Sequence, residues 1–144
     1  MVWDANKNKS DRAIALVVNY ERRQGQEVNT AKRGTGYDLL SWGPKGRKSI
    51  EVKGTKKDFA IPDLTSTEFS DEHGTKLKAT HLYVVGNVMS RKPQLYIITR
   101  RNFCRALQQV KNRNSRKRIR WHVPGPVQEA LAVSLEPRPL KRIS

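Results

Sequence analysis

The order of patterns along this chain predicts an α/β domain, a mixed β-sheet flanked by helices. Three observations carry that expectation: a helical apolar period from Ser10, two hairpin patterns at 37–53 and 82–99, and a second helical period through Phe103, Leu107 and Val110. With a short helix expected between the hairpins, the order is helix, strands, helix, strands, helix.

Residues 1–9 are polar and read as a flexible N-terminus that Trp3 could anchor. Ser10 suits an N-cap and Asp11 the first turn, where unpaired N–H groups favour a negative side chain. Ile14, Val17 and Val18 fall on one face, and Gly25 makes a natural stop. Seven residues on from Ile14 stands Glu21, a carboxylate where the packing pattern asks for an apolar side chain. A charge at the edge of a core needs a partner, and a metal ion or a lysine would serve.

Gln26–Arg33 reads as a weakly patterned first strand, and Thr35-Gly36 turns the chain into Tyr37–Trp42. Gly43-Pro44-Lys45-Gly46 supplies turn chemistry before a β-branched strand at 48–53. Thr65-Ser66-Thr67-Glu68 has capping-box spacing, so a short helix is expected from there to His73-Gly74. Leu82–Val88 and Leu95–Thr99 are apolar, β-branched runs that read as a hairpin at the heart of the sheet. Arg120–Val123 suits a last strand, Gly125-Pro126 the start of a terminal helix, and 136–144 a tail. With no internal repeat, residues 10–135 are expected to form one domain.

Of the 144 residues 29 are Lys or Arg and 13 are Asp or Glu, and the resulting charge of +16 implies a polyanionic partner. No apolar run approaches the roughly 20 residues of a spanning helix, and no signal-peptide pattern opens the chain. The expectation is a soluble intracellular protein of the cytoplasm, nucleoid or nucleus, with no membrane partner. The single Cys104 excludes an internal disulfide and a cysteine cage for zinc, and reads as a core residue. His73, His81 and His122 are too scattered for ligand spacing, and no glycine loop is present to cradle a nucleotide's phosphates.

The chemistry concentrates in the first hairpin. Side chains alternate along a strand, so Glu51 and Lys53 share a face while Ile50 and Val52 point into the packing on the other. A register that sets Asp38 near Glu51 places two carboxylates about 5 Å apart. Such a pair repels unless neutralised, and a hard divalent cation bound by oxygens, Mg²⁺ rather than zinc, is the usual solution. Lys53 could then orient the attacking water and balance charge on the phosphoryl oxygens. Taken alone, Glu-x-Lys is more often a salt-bridged strand edge. Here it sits behind an aspartate, next to a helix with Glu21 on its packing face, in a chain whose charge demands a polyanion.

Gly36-Tyr37-Asp38 and Ile50-Glu51-Val52-Lys53-Gly54, behind a helix bearing Glu21, resemble the PD-(D/E)xK nuclease superfamily, especially its restriction-endonuclease-like and Holliday-junction-resolvase-like branches. The resemblance covers roughly residues 10–100 and implies a restriction-endonuclease-like mixed sheet flanked by helices. By it, Asp38 and Glu51 hold Mg²⁺, with Mn²⁺ as a substitute, Lys53 acts beside the water, and Glu21 completes the metal shell. One departure stands out: the motif's proline before aspartate is Tyr37 here.

The expected function is therefore a Mg²⁺-dependent endonuclease that hydrolyses DNA phosphodiester bonds by in-line attack of a metal-activated water. The alternative is a catalytically inactive nuclease-like module that binds nucleic acid. DNA is the expected partner, RNA is not excluded, and a homodimer is one route to cutting both strands. Lys45, Arg47 and Lys48 at the hairpin tip, and Lys56 and Lys57 after the motif strand, suit a phosphate grip as well as a solvated turn. Arg116, Lys117, Arg118 and Arg120 form the densest basic cluster and favour nucleic acid. Trp42 and Trp121 read as buried or half-buried before they read as base-stacking platforms.

Overall fold

The period that ends at Gly25 is realised as helix α1, Ala5–Arg23, in a computed structural model that describes residues 5–62, 64, 65, 68, 77–108, 120, 121, 128, 131, 135 and 137–140. Ser10 and Asp11 lie inside the helix rather than at its start, since Ala and Lys upstream are good helix formers. Gly25 takes φ 85°, the Gln26 N–H donates to the Glu21 carbonyl (3.1 Å) and the Gly25 N–H to the Arg22 carbonyl (3.0 Å), which together satisfy orphan carbonyls of the last turn.

Strands β1 (Glu27–Thr30), β2 (Leu39–Trp42) and β3 (Lys48–Gly54) form an antiparallel meander. The chain then passes through β4 (Leu64–Thr65) and returns as β5 (His81–Gly86), which pairs with β3 in parallel. β6 (Gln94–Thr99) pairs antiparallel with β5, helix α2 (Arg100–Gln108) follows, and β7 (Arg120–Trp121) and β8 (Arg138–Pro139) are two-residue strands. Among the described residues the main sheet has six strands, ordered β1-β2-β3-β5-β6-β8, and β4 pairs with β7 apart from it. The expected α/β class, a mixed sheet flanked by helices, is the observed one.

Alternation along the strands builds two cores. On one face α1 sets Leu16 and Val17 against Leu39, Ile50, Val52, Tyr83 and Val85. On the other, Phe103 and Ala106 of α2 join Leu64 and Leu77 over Leu82, Val84, Tyr96 and Ile98. Each large apolar side chain buried this way contributes about 1.5–3 kcal/mol.

Three expectations change. Thr65 lies in β4, its backbone paired with that of Arg120, and Glu68 lies in a 3₁₀ turn; the rest of the helix read to His73-Gly74 falls outside the described residues. Within the segment read as a tail, Arg138 and Pro139 pair with Leu95 and Gln94, and Leu140 is buried. Proline is suited to such an edge, where its missing N–H costs no ladder bond. Cys104 is half-buried with a free thiol. Of the terminal helix only Gln128 and Leu131 are described, both helical. Among the described residues no helix is long and apolar enough to cross a membrane.

One close approach locks the segment after β3. The Thr55 N–H donates to the Val85 carbonyl (3.0 Å) and the Asn87 N–H to the Lys57 carbonyl (2.8 Å), which draws the chain across Gly86. A Cβ there would collide with the Asp58 carbonyl. Gly86→Ala is accordingly expected to destabilise the fold by about 1–3 kcal/mol in urea unfolding, because backbone rather than a flexible side chain must yield.

Candidate active site

Asp38 stands just before β2, where its main chain already pairs on both sides: its N–H donates to the Ile50 carbonyl (2.9 Å), and its carbonyl accepts from the Ala31 N–H (2.8 Å). Its carboxylate Oδ2 accepts the Val52 N–H at 2.8 Å, which fixes the side chain beside β3. Glu51 is on that same face and is only 4% exposed. Burial pushes the Glu51 carboxyl up to about 10, helped by its hydrogen bond to Asp38 and by the negative charges of Asp38 and Glu68, with Lys53 pulling the other way. At neutral pH burial therefore favours the protonated form of Glu51, which can hydrogen-bond to the Asp38 carboxylate.

Lys53, two residues on and on the same face, has its Nζ 3.0 Å from Oε1 of Glu68. Glu68 is itself buried, and its carbonyl accepts the Lys78 N–H (2.8 Å). A cavity of about 350 Å³ opens over Asp38, Glu51 and Glu68, walled by Tyr37 and by the loop carrying Lys32, Arg33, Gly34 and Gly36. Positive φ at Gly34 (86°) and Gly36 (88°) lets that loop fold back on itself, and Thr35 Oγ1 donates to the Lys32 carbonyl (2.9 Å) across it.

The structure brings together Asp38, Glu51 and Lys53, but not Glu21. That carboxylate lies on the α1 face of the sheet, fully buried, where Lys48 Nζ (3.2 Å), Ser41 Oγ (2.9 Å) and the Tyr83 hydroxyl (3.1 Å) all donate to it. Of the two partners its position allowed, it has the lysine. The same contact removes Lys48 from the phosphate-gripping set. Burial and the adjacent Glu21 charge hold the Tyr83 hydroxyl well above its ordinary range, so it stays a donor. His81, read as structural, has its ring against Tyr83, and burial with the Lys48 charge holds it below the usual histidine range.

Lys45, Arg47, Lys56 and Lys57 are exposed as a phosphate grip requires. Arg116, Lys117 and Arg118 lie outside the described residues, and Arg120 is described only as a β7 backbone position. Glu68, Lys32 and Arg33 are the residues that sequence reasoning missed. Glu68 was concealed by its capping-box spacing, whereas Lys32-Arg33 ahead of Gly34-Thr35-Gly36 is a legible signal, two cations before a glycine-bracketed turn.

Among the described residues the fold is a six-stranded mixed α/β sheet with a helix on each face. A solved bacterial homing endonuclease shares it, with a TM-score of 0.50 at 13% sequence identity over 91% of each chain. Residues 9–98 match the family described as Protein NO VEIN, C-terminal, and the chain belongs to that family. No curated protein has a matching sequence.

Proposed function

We propose that the chain is a Mg²⁺-dependent endonuclease of the PD-(D/E)xK type acting on DNA. The observation that carries this reading is the hydrogen-bonded pair Asp38 and Glu51 at the floor of a cavity, with Lys53 next on the same strand face. The fold shared with a homing endonuclease and the charge of +16 support it.

The donor set fits a hard cation. Asp38 and Glu51 offer carboxylate oxygens side by side, and a divalent ion would offset both the burial of Glu51 and the repulsion between the two. Among the described residues no group of three or more Asp, Glu, His or Cys side chains is disposed to hold a metal. Mg²⁺, or Mn²⁺ in its place, usually keeps several waters and takes one or two carboxylates plus substrate phosphates, so Asp38 and Glu51 are enough protein ligands for it. When bound, the cation supplies acidification of water and neutralisation of charge on the phosphoryl oxygens. Asp38 and Glu51 would hold it, and the Val52 N–H keeps Asp38 oriented. Lys53 can orient the nucleophile and stabilise developing negative charge once a phosphate competes with Glu68 for its ammonium.

The Lys53–Glu68 pair also favours a second reading, a binding module in which the lysine serves structure. Cleavage of linear duplex, Holliday junction, flap, single strand and RNA, each with Mg²⁺ and with EDTA, separates the two. Cleavage is expected in Mg²⁺ or Mn²⁺ only, and Lys53→Ala should lower it about a hundredfold or more. A Lys53→Ala chain that cuts like its parent would remove the assignment, and binding without cleavage in any divalent ion would favour the module.

A further inference from the structure

The two faces of the sheet are covered unequally. α1 closes one of them; on the other, α2 and its neighbours cover β5 and β6 and Glu51 of β3 is buried, so among the described residues the exposed part lies on β1 and β2, at Glu27, Asn29 and Trp42. By strand parity Asp38, Leu40 and Trp42 project there, Leu40 half-buried and Trp42 36% exposed. Four residues of extended chain at about 3.3 Å each set the indole about 13 Å from Asp38 along β2. Exposed cations bracket the track: Lys45 and Arg47 on the turn beyond Trp42, and Lys32 and Arg33 on the loop beyond Asp38.

We infer that this open face holds an unpaired strand of nucleic acid, with one base stacked on Trp42 and the backbone following β2 toward the Asp38–Glu51 pair. The inference rests on the nuclease reading and narrows its substrate to nucleic acid with a single-stranded stretch beside the scissile bond. Bases within a duplex stack on one another and offer no free face to an exposed indole, whereas an unpaired base of any sequence does. Glu27, opposite Trp42 in the β1–β2 register, would repel a phosphate but can accept from a base amino group, so it too selects a base at this end. The four bracketing cations and the overall charge of +16 match a polyanion rather than an apolar partner.

Anisotropy titrations in EDTA, with a labelled single-stranded oligonucleotide and with the same sequence as blunt duplex, test this for the parent, Trp42→Ala and Trp42→Phe. Trp42→Ala is expected to bind the single strand about ten- to a hundredfold more weakly and the duplex within about twofold of the parent, and Trp42→Phe to recover most of the loss. Trp42 is 36% exposed, so Trp42→Ala should unfold at a somewhat lower temperature than the other two, and the titrations are run well below the unfolding of all three. Single-strand binding by Trp42→Ala within about twofold of the parent, an equal loss on duplex, or a parent with no affinity for single strands would each overturn the inference. Cleavage of the single strand and the flap in Mg²⁺ distinguishes the two readings. Trp42-dependent binding without cleavage of either defeats the endonuclease and leaves the track standing, while cleavage with Trp42-independent binding defeats the track alone.

Discussion

Glu51→Gln is expected to stabilise the cation-free chain at pH 7 by about 3 kcal/mol while lowering cleavage more than about a hundredfold. The stability gain follows from the carboxyl that burial and Asp38 push to about 10 from an ordinary 4.5. A group whose folded value is raised contributes its full stability below about pH 4.5, and loses it progressively as pH climbs toward 10. At pH 7 the folded chain still holds the Glu51 proton while the unfolded chain has released it, a difference of roughly 2.5 pH units at about 1.36 kcal/mol each. Glutamine keeps the donor to Asp38 and has no proton to lose. Urea unfolding in EDTA should therefore find parent and variant alike near pH 4 and increasingly separated toward pH 9. A constant gap across that range would show that the carboxyl is not held neutral. The loss of cleavage has a separate origin: groups that merely orient a metal ligand cost about 10–100-fold when changed, so a ligand itself should cost more.

Glu21→Gln should do the reverse, destabilising the chain by about 3–5 kcal/mol while the folded fraction keeps its cleavage rate. The side chain is fully buried, and removing its charge leaves the Lys48 ammonium facing the α1 core without its counterion. Against a total stability of about 5–15 kcal/mol that is a large share. Replacing both members, Glu21→Met with Lys48→Met, should recover much of the loss, since no unpaired charge then remains. Chemical denaturation gives the stability, and nicking rates corrected for folded fraction give the rest. If Glu21→Gln abolished cleavage at unchanged stability, Glu21 would belong to the reacting centre despite the sheet between them.

The outcome for Glu21 shows which parts of the site could be read from sequence. Alternation in Ile50-Glu51-Val52-Lys53 and the tight turn before it were enough to place Glu51 and Lys53 on one face and Asp38 beside them. A helical period identified Glu21 as buried, yet burial alone does not say against which face. The parity that separates Ile50 from Glu51 supplied the answer, because a helix packed on Ile50 and Val52 cannot present its carboxylate to Glu51. Glu68 was out of reach for another reason. It returns to β3 from the crossover between β3 and β5, and a contact set by the path of a loop leaves no periodic trace. β8 was equally silent, since two residues of edge strand carry too little pattern to distinguish from a tail.

β3 carries its two paired lysines on opposite sides, Lys48 to Glu21 and Lys53 to Glu68. A one-residue slip of this strand against its neighbours would turn Glu51 and Lys53 into the apolar layer under α1 and send Ile50 and Val52 to the side of Asp38 and Glu68. Both ion pairs would break at once. The charges that make β3 chemically useful thus also make every competing alignment of the strand costly, and a chain that has paired wrongly cannot also have assembled its site.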